Sequence, residues 1–460
     1  VGSEMCIRDR LYAYVNMFFG PKGAYMEWQQ IYKDRSMDVE TMLDRFVGDG
    51  TSVFVGTFEV AGGLIRPMLK RIQDGALHGI SMYGGITSED LHLDELTVGF
   101  DEFHYHNYFT GGNERNGISA GHTAYVPLHL HRTKNLVEND GIDVAFIAMT
   151  PPDKHGYCNI GHVGCRPEGI RTAKHVIAQI NPSVPWVNGL ERNLHVSQID
   201  AFVEIDQPMT QMPIAEPKPE EKIVGDIVCE LIEDGSCIQL GFGSIANAIA
   251  EGLKARKHLG VHSEMFNDAM AELQELGVID NSRKNYLPGV SVAGFASGQQ
   301  YLYDFIDHNP GMFFTPYSHV NNPDFIRLND NMVSVNSAVS VDLTGQVCAE
   351  SIGTRQYSGT GGQVDFIRGA TLAKNGKAII AMTSTTKTKN GVVSKIAPTL
   401  MAGSVVTSLR TDVQYFVTEY GCVNLMYCDI PERCRRLISI AHPDFRDELT
   451  HEAKKLGYLY

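Results

Sequence analysis

No run of apolar residues in this chain is long enough to span a bilayer as a helix. Base is also scarce: 39 Lys and Arg face 54 Asp and Glu, for a formal net charge of −15. A nucleic-acid backbone as main partner needs a surplus of positive side chains, so that class is excluded. A small phosphorylated ligand in a local basic pocket is not. The nine cysteines have no zinc-like spacing; Cys422, Cys428 and Cys434 recur every six residues, and Cys158 and Cys165 are seven apart. They read as free, mostly buried thiols of a reducing compartment, which places the protein in the cytoplasm. No metal is expected. There is no short-period repeat, and neither a complete dinucleotide fingerprint nor the Lys-Ser/Thr end of a P-loop.

What is present is the composition of a folded chain, 43% hydrophobic and 20% charged over 460 residues. That length predicts more than one domain. Residues 1–25 read as foreign. VGSEMCIRDR has no periodicity and its MCIRDR run resembles a translated sequencing artefact, while LYAYVNMFFG lacks the flanks of a signal peptide. The natural start is expected near Met26.

Downstream, short apolar runs alternate with helix-period segments. TSVFVG (51–56), VAFIAM (144–149), HVIAQI (175–180) and AFVEI (201–205) read as strands, and GLIRPMLKRI (63–72) as a helix with Pro67 early in it. QPMTQMPIAEPKPEEK (207–222), with four prolines, reads as a linker. The pattern then restarts. Ile223, Val224, Ile227, Val228, Leu231 and Ile232 mark one helix face, and SCIQLG, GVHSEMF, SVAGF, FFTPYS, MVSVNSAVSVDL, KAIIAM and QYFVTEYG supply strands. This predicts two α/β domains of similar size with largely parallel sheets, at 26–206 and 223–460.

Three segments concentrate chemistry. In QLGFGSIANAIAEGL, a strand ends in Gly241-Phe242-Gly243 and a helix opens near Ser244; such a corner exposes N–H groups that can hold negative charge, or is simply a tight connection. In LGVHSEMFNDAM, Glu264 falls at or just past the end of an apolar run, where strands of α/β sheets meet their ligands. It is either a solvated carboxylate or one able to attack an acyl group; Asp268 reads as a helix cap. In SGTGGQVDFIRGA, Gly359, Gly361 and Gly362 allow close backbone approach, with N–H groups available to an oxyanion, and Arg368 can meet Asp365 or a phosphate. The pairs His104/His106 and His129/His131 would share a strand face, but no carboxylate or cysteine is spaced to complete a metal site.

Together these segments resemble the acetyl-CoA hydrolase/transferase family, within it the butyryl-CoA:acetate and 4-hydroxybutyrate CoA-transferases. GGQVDFIRGA, HSEMFND, GFGSIANAIA, PPDKHGYCNIG, SVDLTGQVCAESIG, KNGVVSKIAPTL, FVTEYG and IAHPDFRDEL carry the likeness, which runs from Met26 to the end. The resemblance implies a CoA-transferase-like fold with its site between the two domains, and Glu264 as the nucleophile that passes through an anhydride to a glutamyl-CoA thioester. It implies oxyanion and substrate contacts at Phe242, Gly243, Asn321, Gly361 and Gly362, and CoA contacts at Gly241 and Gly362, with Lys387, Lys389 and Lys395 as candidates for the phosphates. CoA thioester and short-chain carboxylate (acetate, butyrate or 4-hydroxybutyrate) are then the substrates, no cofactor is held tightly, and a homodimer is expected.

Two stretches depart from the family: the loop TFEVAGG (57–63) and the segment 81–117. Both fall in the half that, by the resemblance, helps to shape the acyl pocket, so they bear on which acid is used. The rival readings are an acyl-CoA hydrolase using the same glutamate and a non-catalytic acyl-CoA sensor; a nucleotide-binding enzyme rests on the α/β pattern alone.

Overall fold

The computed structural model describes residues 27–241 and 243–460. The leader assigned to residues 1–25, and Phe242, lie outside the described residues.

The first apolar run forms the strand Ser52–Phe58, one residue displaced from its expected start. Its Val53 and Val55 enter one core and its Phe54 and Phe58 another. Burial on both faces is what a parallel strand between two helical layers requires. Around it builds a seven-stranded sheet in the order Thr123–Tyr125, Phe103–Asn107, Ile80–Thr87, Ser52–Phe58, Ile142–Met149, Ala173–Ile180, Ala201–Glu204. Every pairing in it is parallel.

The second half repeats this plan. Its sheet runs Met312–Phe314, Ser291–Ala296, Gly260–Phe266, Cys237–Leu240, Met332–Asn336, Lys377–Ala381, Tyr415–Thr418, Gly421–Asn424. Only the last pairing is antiparallel. By chain position, both sheets read 4-3-2-1-5-6-7, with one hairpin strand appended to the second. In each, the order reverses beside the strand formed first, which opens a crevice at the carboxyl ends of the strands. The expected pair of α/β units with largely parallel sheets is therefore what forms.

The units meet through a common core. Phe54, Ala145 and Tyr108 of the first pack in one cluster with Met265, Phe295, Tyr317 and Met332 of the second. The Phe58 ring stacks on Phe295 at 3.9 Å between centroids, and the Thr57 and Tyr317 hydroxyls lie 3.2 Å apart. Isolated bridges join Val163 to Phe295 and Gly189 to Phe314.

Several local expectations change. The stretch 207–222 is without regular structure to Lys218, but Pro219 to Lys222 already belong to the helix Pro219–Leu231. Pro67 sits in the second turn of the helix Gly62–Gln73, so the bond its N–H would have made to Gly63 is missing. MVSVNSAVSVDL is two strands, Met332–Asn336 and Ser340–Asp342, the latter in a separate small sheet. Of FFTPYS only Phe313 and Phe314 are strand, the end of Met312–Phe314; Pro316 then caps the short helix Tyr317–Val320. Asn267, not Asp268, caps the helix Asp268–Glu275, by accepting from Met270 N. Asp268 instead accepts from the Gln299 N–H.

Candidate active site

Glu264 is not past the end of its strand but inside it, the fifth residue of Gly260–Phe266. The strand stays paired to Ser291–Ala296 as far as Phe266. On its other side, pairing with Cys237–Leu240 stops at Val261. The two strands part there, and Glu264 faces the gap. A cavity of about 190 Å³ fills it, lined by Glu264, Met265, Gly241, Asn336, Gly362 and Phe109.

The carboxylate is held from two sides. Asn321 Nδ2 donates to Glu264 Oε2 at 2.6 Å. The Gly362 N–H reaches the same carboxylate. Burial pushes Glu264 up to about 7, and the negative charge of Asp365 adds to this, while the two donors pull it back. Asn321 is fully buried and directly follows the helix Tyr317–Val320. That helix is pinned by His262, whose Nε2 lies 2.9 Å from the Val320 carbonyl. Burial drives His262 down to about 3, so it stands there as a neutral imidazole. Because His262 and Glu264 are two apart on one strand, they share a face and serve one neighbourhood.

Gly362 leaves no room for a side chain. A Cβ there would lie 2.0 Å from Glu264 Oε2 and 2.1 Å from Asn321 Nδ2. Gly361 adopts φ +55°, and a Cβ on it would meet the Phe109 ring at 2.8 Å. Glycine is required at 362 for space and at 361 for backbone angle as well.

Of the other sequence candidates, Gly241 lines the cavity and its N–H bonds the Val335 carbonyl at 3.1 Å. Gly243, at φ +99°, caps the helix Ser244–Leu253 and opens instead on a second groove of about 810 Å³. The two spaces share Met265. Lys387 and Lys389 lie exposed on the hairpin Thr385–Ser394, and Lys395 is half-buried near Glu419, pushed down to about 8 by burial. None of the three lysines lines the Glu264 cavity. Arg368 pairs with Asp412, at 3.0 Å, rather than with Asp365.

The histidine pairs have other employments. His104 stacks on His106 at 3.9 Å, and His106 on Tyr83 at 4.3 Å. His131 Nδ1 lies 2.7 Å from Asp365, across the boundary between the halves. Among the described residues no cluster of three or more His, Cys, Asp or Glu is arranged to hold a metal ion.

In the unfamiliar loop TFEVAGG, Phe58 takes φ +55°, rare for a bulky residue. It presses on Phe295, the strand partner of Met265, so this loop reaches to within one residue of the cavity wall. Glu59 beside it is buried and pushed up to about 7 by burial and by Glu89. Phe109, Tyr125 and Leu130, which hold the glycine loop from the first half, were not singled out from sequence. The only signal was the unassigned His129/His131 pair next to Leu130.

Two family models match, the acetyl-CoA hydrolase/transferase N-terminal domain over residues 77–214 and the acetyl-CoA hydrolase/transferase C-terminal domain over residues 298–453. Glu264 lies between the matched stretches. The chain is 40% identical to the 4-hydroxybutyrate coenzyme A transferase of Clostridium kluyveri, over 94% of this chain and 100% of that protein. It is 42% identical to the succinyl-CoA:cyclohexane-1-carboxylate CoA transferase of Geobacter metallireducens, over 76% of this chain and 80% of the relative. Among solved structures it is similar to RipA from Yersinia pestis, with a TM-score of 0.86 and 33% identity, covering 94% of this chain and 100% of that one.

Proposed function

The chain belongs to the acetyl-CoA hydrolase/transferase family, and from that premise we propose that it is a CoA-transferase working through Glu264. It moves CoA from an acyl-CoA to a short-chain carboxylate such as acetate, butyrate or 4-hydroxybutyrate. The observation that carries the reading is the carboxylate of Glu264, facing a cavity and gripped by Asn321 and the Gly362 N–H.

The chemistry follows from that grip. The Glu264 carboxylate attacks the thioester carbonyl, the C–S bond breaks, and CoA leaves as thiolate. The thiolate attacks the Glu264 carbonyl of the mixed anhydride, which releases the first acid as carboxylate and leaves a glutamyl-CoA thioester. A second carboxylate attacks that thioester and the steps reverse. Each tetrahedral step places negative charge on an oxygen beside Asn321 Nδ2 and the Gly362 N–H. Donors already aimed there stabilise it, each by about 3 kcal/mol in the barrier. Thioester energy is conserved throughout, so the reaction needs no tightly bound cofactor.

The volumes agree with a short acid. About 190 Å³ is below the usual range of ligand pockets and suits a small acyl group, while the 810 Å³ groove that meets it at Met265 has room for a longer arm. No helix among the described residues is long and apolar enough to cross a membrane. The reading includes a homodimer, which sedimentation tests, and a cytoplasmic location, which cell fractionation tests.

The deciding experiment is to incubate the protein with an acyl-CoA, with and without acetate. Transfer predicts acetyl-CoA formation that depends on acetate, and a CoA mass increment on the peptide containing Glu264. Equal loss of thioester in both tubes, with free CoA accumulating, would reject transfer in favour of hydrolysis.

A further inference from the structure

The peptide unit that presents the Gly362 N–H is held at its other end by the first half of the chain. Leu130 N–H donates to the Gly361 carbonyl at 3.2 Å. In a trans peptide the carbonyl and the N–H of one unit point in opposite directions. Holding the Gly361 oxygen toward Leu130 therefore turns the Gly362 N–H toward Glu264, where it acts on the carboxylate.

The next residue reinforces this hold. His131 N–H donates to Asp365 Oδ2 at 3.2 Å, and His131 Nδ1 lies 2.7 Å from Oδ1. Asp365 is the third residue of the helix Gln363–Leu372, which starts directly after Gly362. One turn of the first half thus grips the glycine loop on both sides of its reactive N–H. Earlier in the loop, Thr360 N–H donates to the Tyr125 hydroxyl at 2.9 Å. Phe109 covers Gly359 and Gly361, so closely that a Cβ on either would meet it within 3.0 Å.

We infer that Leu130 and His131 are positioning residues for the oxyanion contact: they set the direction of the Gly361–Gly362 peptide, so the site is complete only when the two halves are docked. This rests on the reading of Glu264 as the nucleophile. It assigns a task to the His129/His131 motif that neither binding nor metal chemistry had absorbed. It also explains why the glycine loop is flanked by a buried acid, since Asp365 is the handle that the turn holds.

The charged and titratable groups are few. Glu264 faces Asn321, the Gly362 N–H, Asp365 and Tyr317; Asp365 faces His131 and His129, and Arg368 and Arg132 act on His129. Removing the His131 ring takes the 2.7 Å contact from Asp365 and loosens the turn that holds the Gly361–Gly362 peptide; a weakened Gly362 N–H contact raises the pH at which Glu264 ionises.

The test compares His131→Ala with His131→Asn, whose amide can still donate where Nδ1 stood. The readouts are kcat, both KM values and the pH dependence of kcat. We expect His131→Ala to lose about 10- to 100-fold in kcat with either KM changed less than about threefold. The acid limb of its profile moves upward, and His131→Asn recovers most of the rate. Tyr125→Phe, which removes one hydroxyl from the same grip, lowers kcat by less and serves if His131→Ala does not fold. Wild-type kcat in His131→Ala, equal losses in the Ala and Asn variants, or an acid limb that stays in place would overturn the assignment. A Glu264→Gln control separates the two readings. If it retains activity, the nucleophile reading fails; if it is dead while His131→Ala is unimpaired, only the positioning role fails.

Discussion

Asn321 Nδ2 stands 2.6 Å from Oε2 of Glu264, and the two residues come from different elements: one from the turn after a short helix, the other from mid-strand. That contact orients the carboxylate and opposes the effect of burial on it. It is also the donor that tetrahedral intermediates at Glu264 would meet. Most of what can be tested in this protein follows from that pair and from the peptide beside it.

Glu264→Gln should abolish transfer, with a loss of at least about 1,000-fold, because an amide cannot form the anhydride. The measurement is acyl-CoA formation with acetate as acceptor. Residual activity within tenfold of the parent would assign the covalent step elsewhere.

The same variant should be more stable at neutral pH than the parent. Glu264 is raised from its ordinary 4.5 to about 7, so ionising it costs the folded state. That cost is absent below about pH 4.5, grows as pH rises through the window to about 7, and is constant above. Melting curves at pH 8 should show the variant higher by roughly 2–6 °C, with the difference fading toward pH 4.5. A constant difference across pH would mean that another effect dominates.

In the parent, kcat/KM should fall on the acid side with an apparent pKa near 7, since the attacking form is the carboxylate. Asn321→Ala should lower kcat by about 100- to 1,000-fold and move this limb to higher pH, because the lost donor was stabilising the charge. A rate loss without that displacement would point to a purely steric role for Asn321.

Gly362→Ala should inactivate a folded enzyme. The backbone at φ −94°, ψ 4° accepts alanine, so the effect comes from the added methyl and not from backbone strain. The added methyl would fall 2.0 Å from the nucleophile and 2.1 Å from its donor. We expect a loss of 100-fold or more with circular dichroism unchanged; near-normal turnover would show that the cleft is wider in solution.

Gly189→Ala should weaken the union of the halves. At φ +150°, its Cβ would lie 1.8 Å from the Phe314 carbonyl oxygen across the bridge between them. A destabilisation of about 2–4 kcal/mol is expected from the strained angle and the clash together. Urea unfolding measures it, and a midpoint like the parent's would place the joint elsewhere.

Much of the architecture was legible because parallel strands buried on both faces must be continuously apolar. Ser52–Phe58, Ile142–Met149 and Lys377–Ala381 stand out for that reason. Where polar residues interrupt, as in MVSVNSAVSVDL, local pattern merged two strands that tertiary pairing assigns to different sheets. Glu264 could be marked as a candidate from its neighbours in sequence, but its place inside the strand could not. Apolar alternation does not reveal that the ladder to Cys237–Leu240 stops at Val261.

The sequence by itself determined the α/β plan, the glycine density at 359–362 and the family, since these rest on periodicity, backbone freedom and ordered motifs. Only the tertiary structure decided what those glycines touch. Leu130 and Gly361 are far apart in the chain, and no spacing rule links them; they meet because the two halves pack against each other through one core. The direction of a single N–H, and the proton affinity of the carboxylate it points at, depend on that packing. Burial and peptide orientation belong to the assembled fold and to no segment of it.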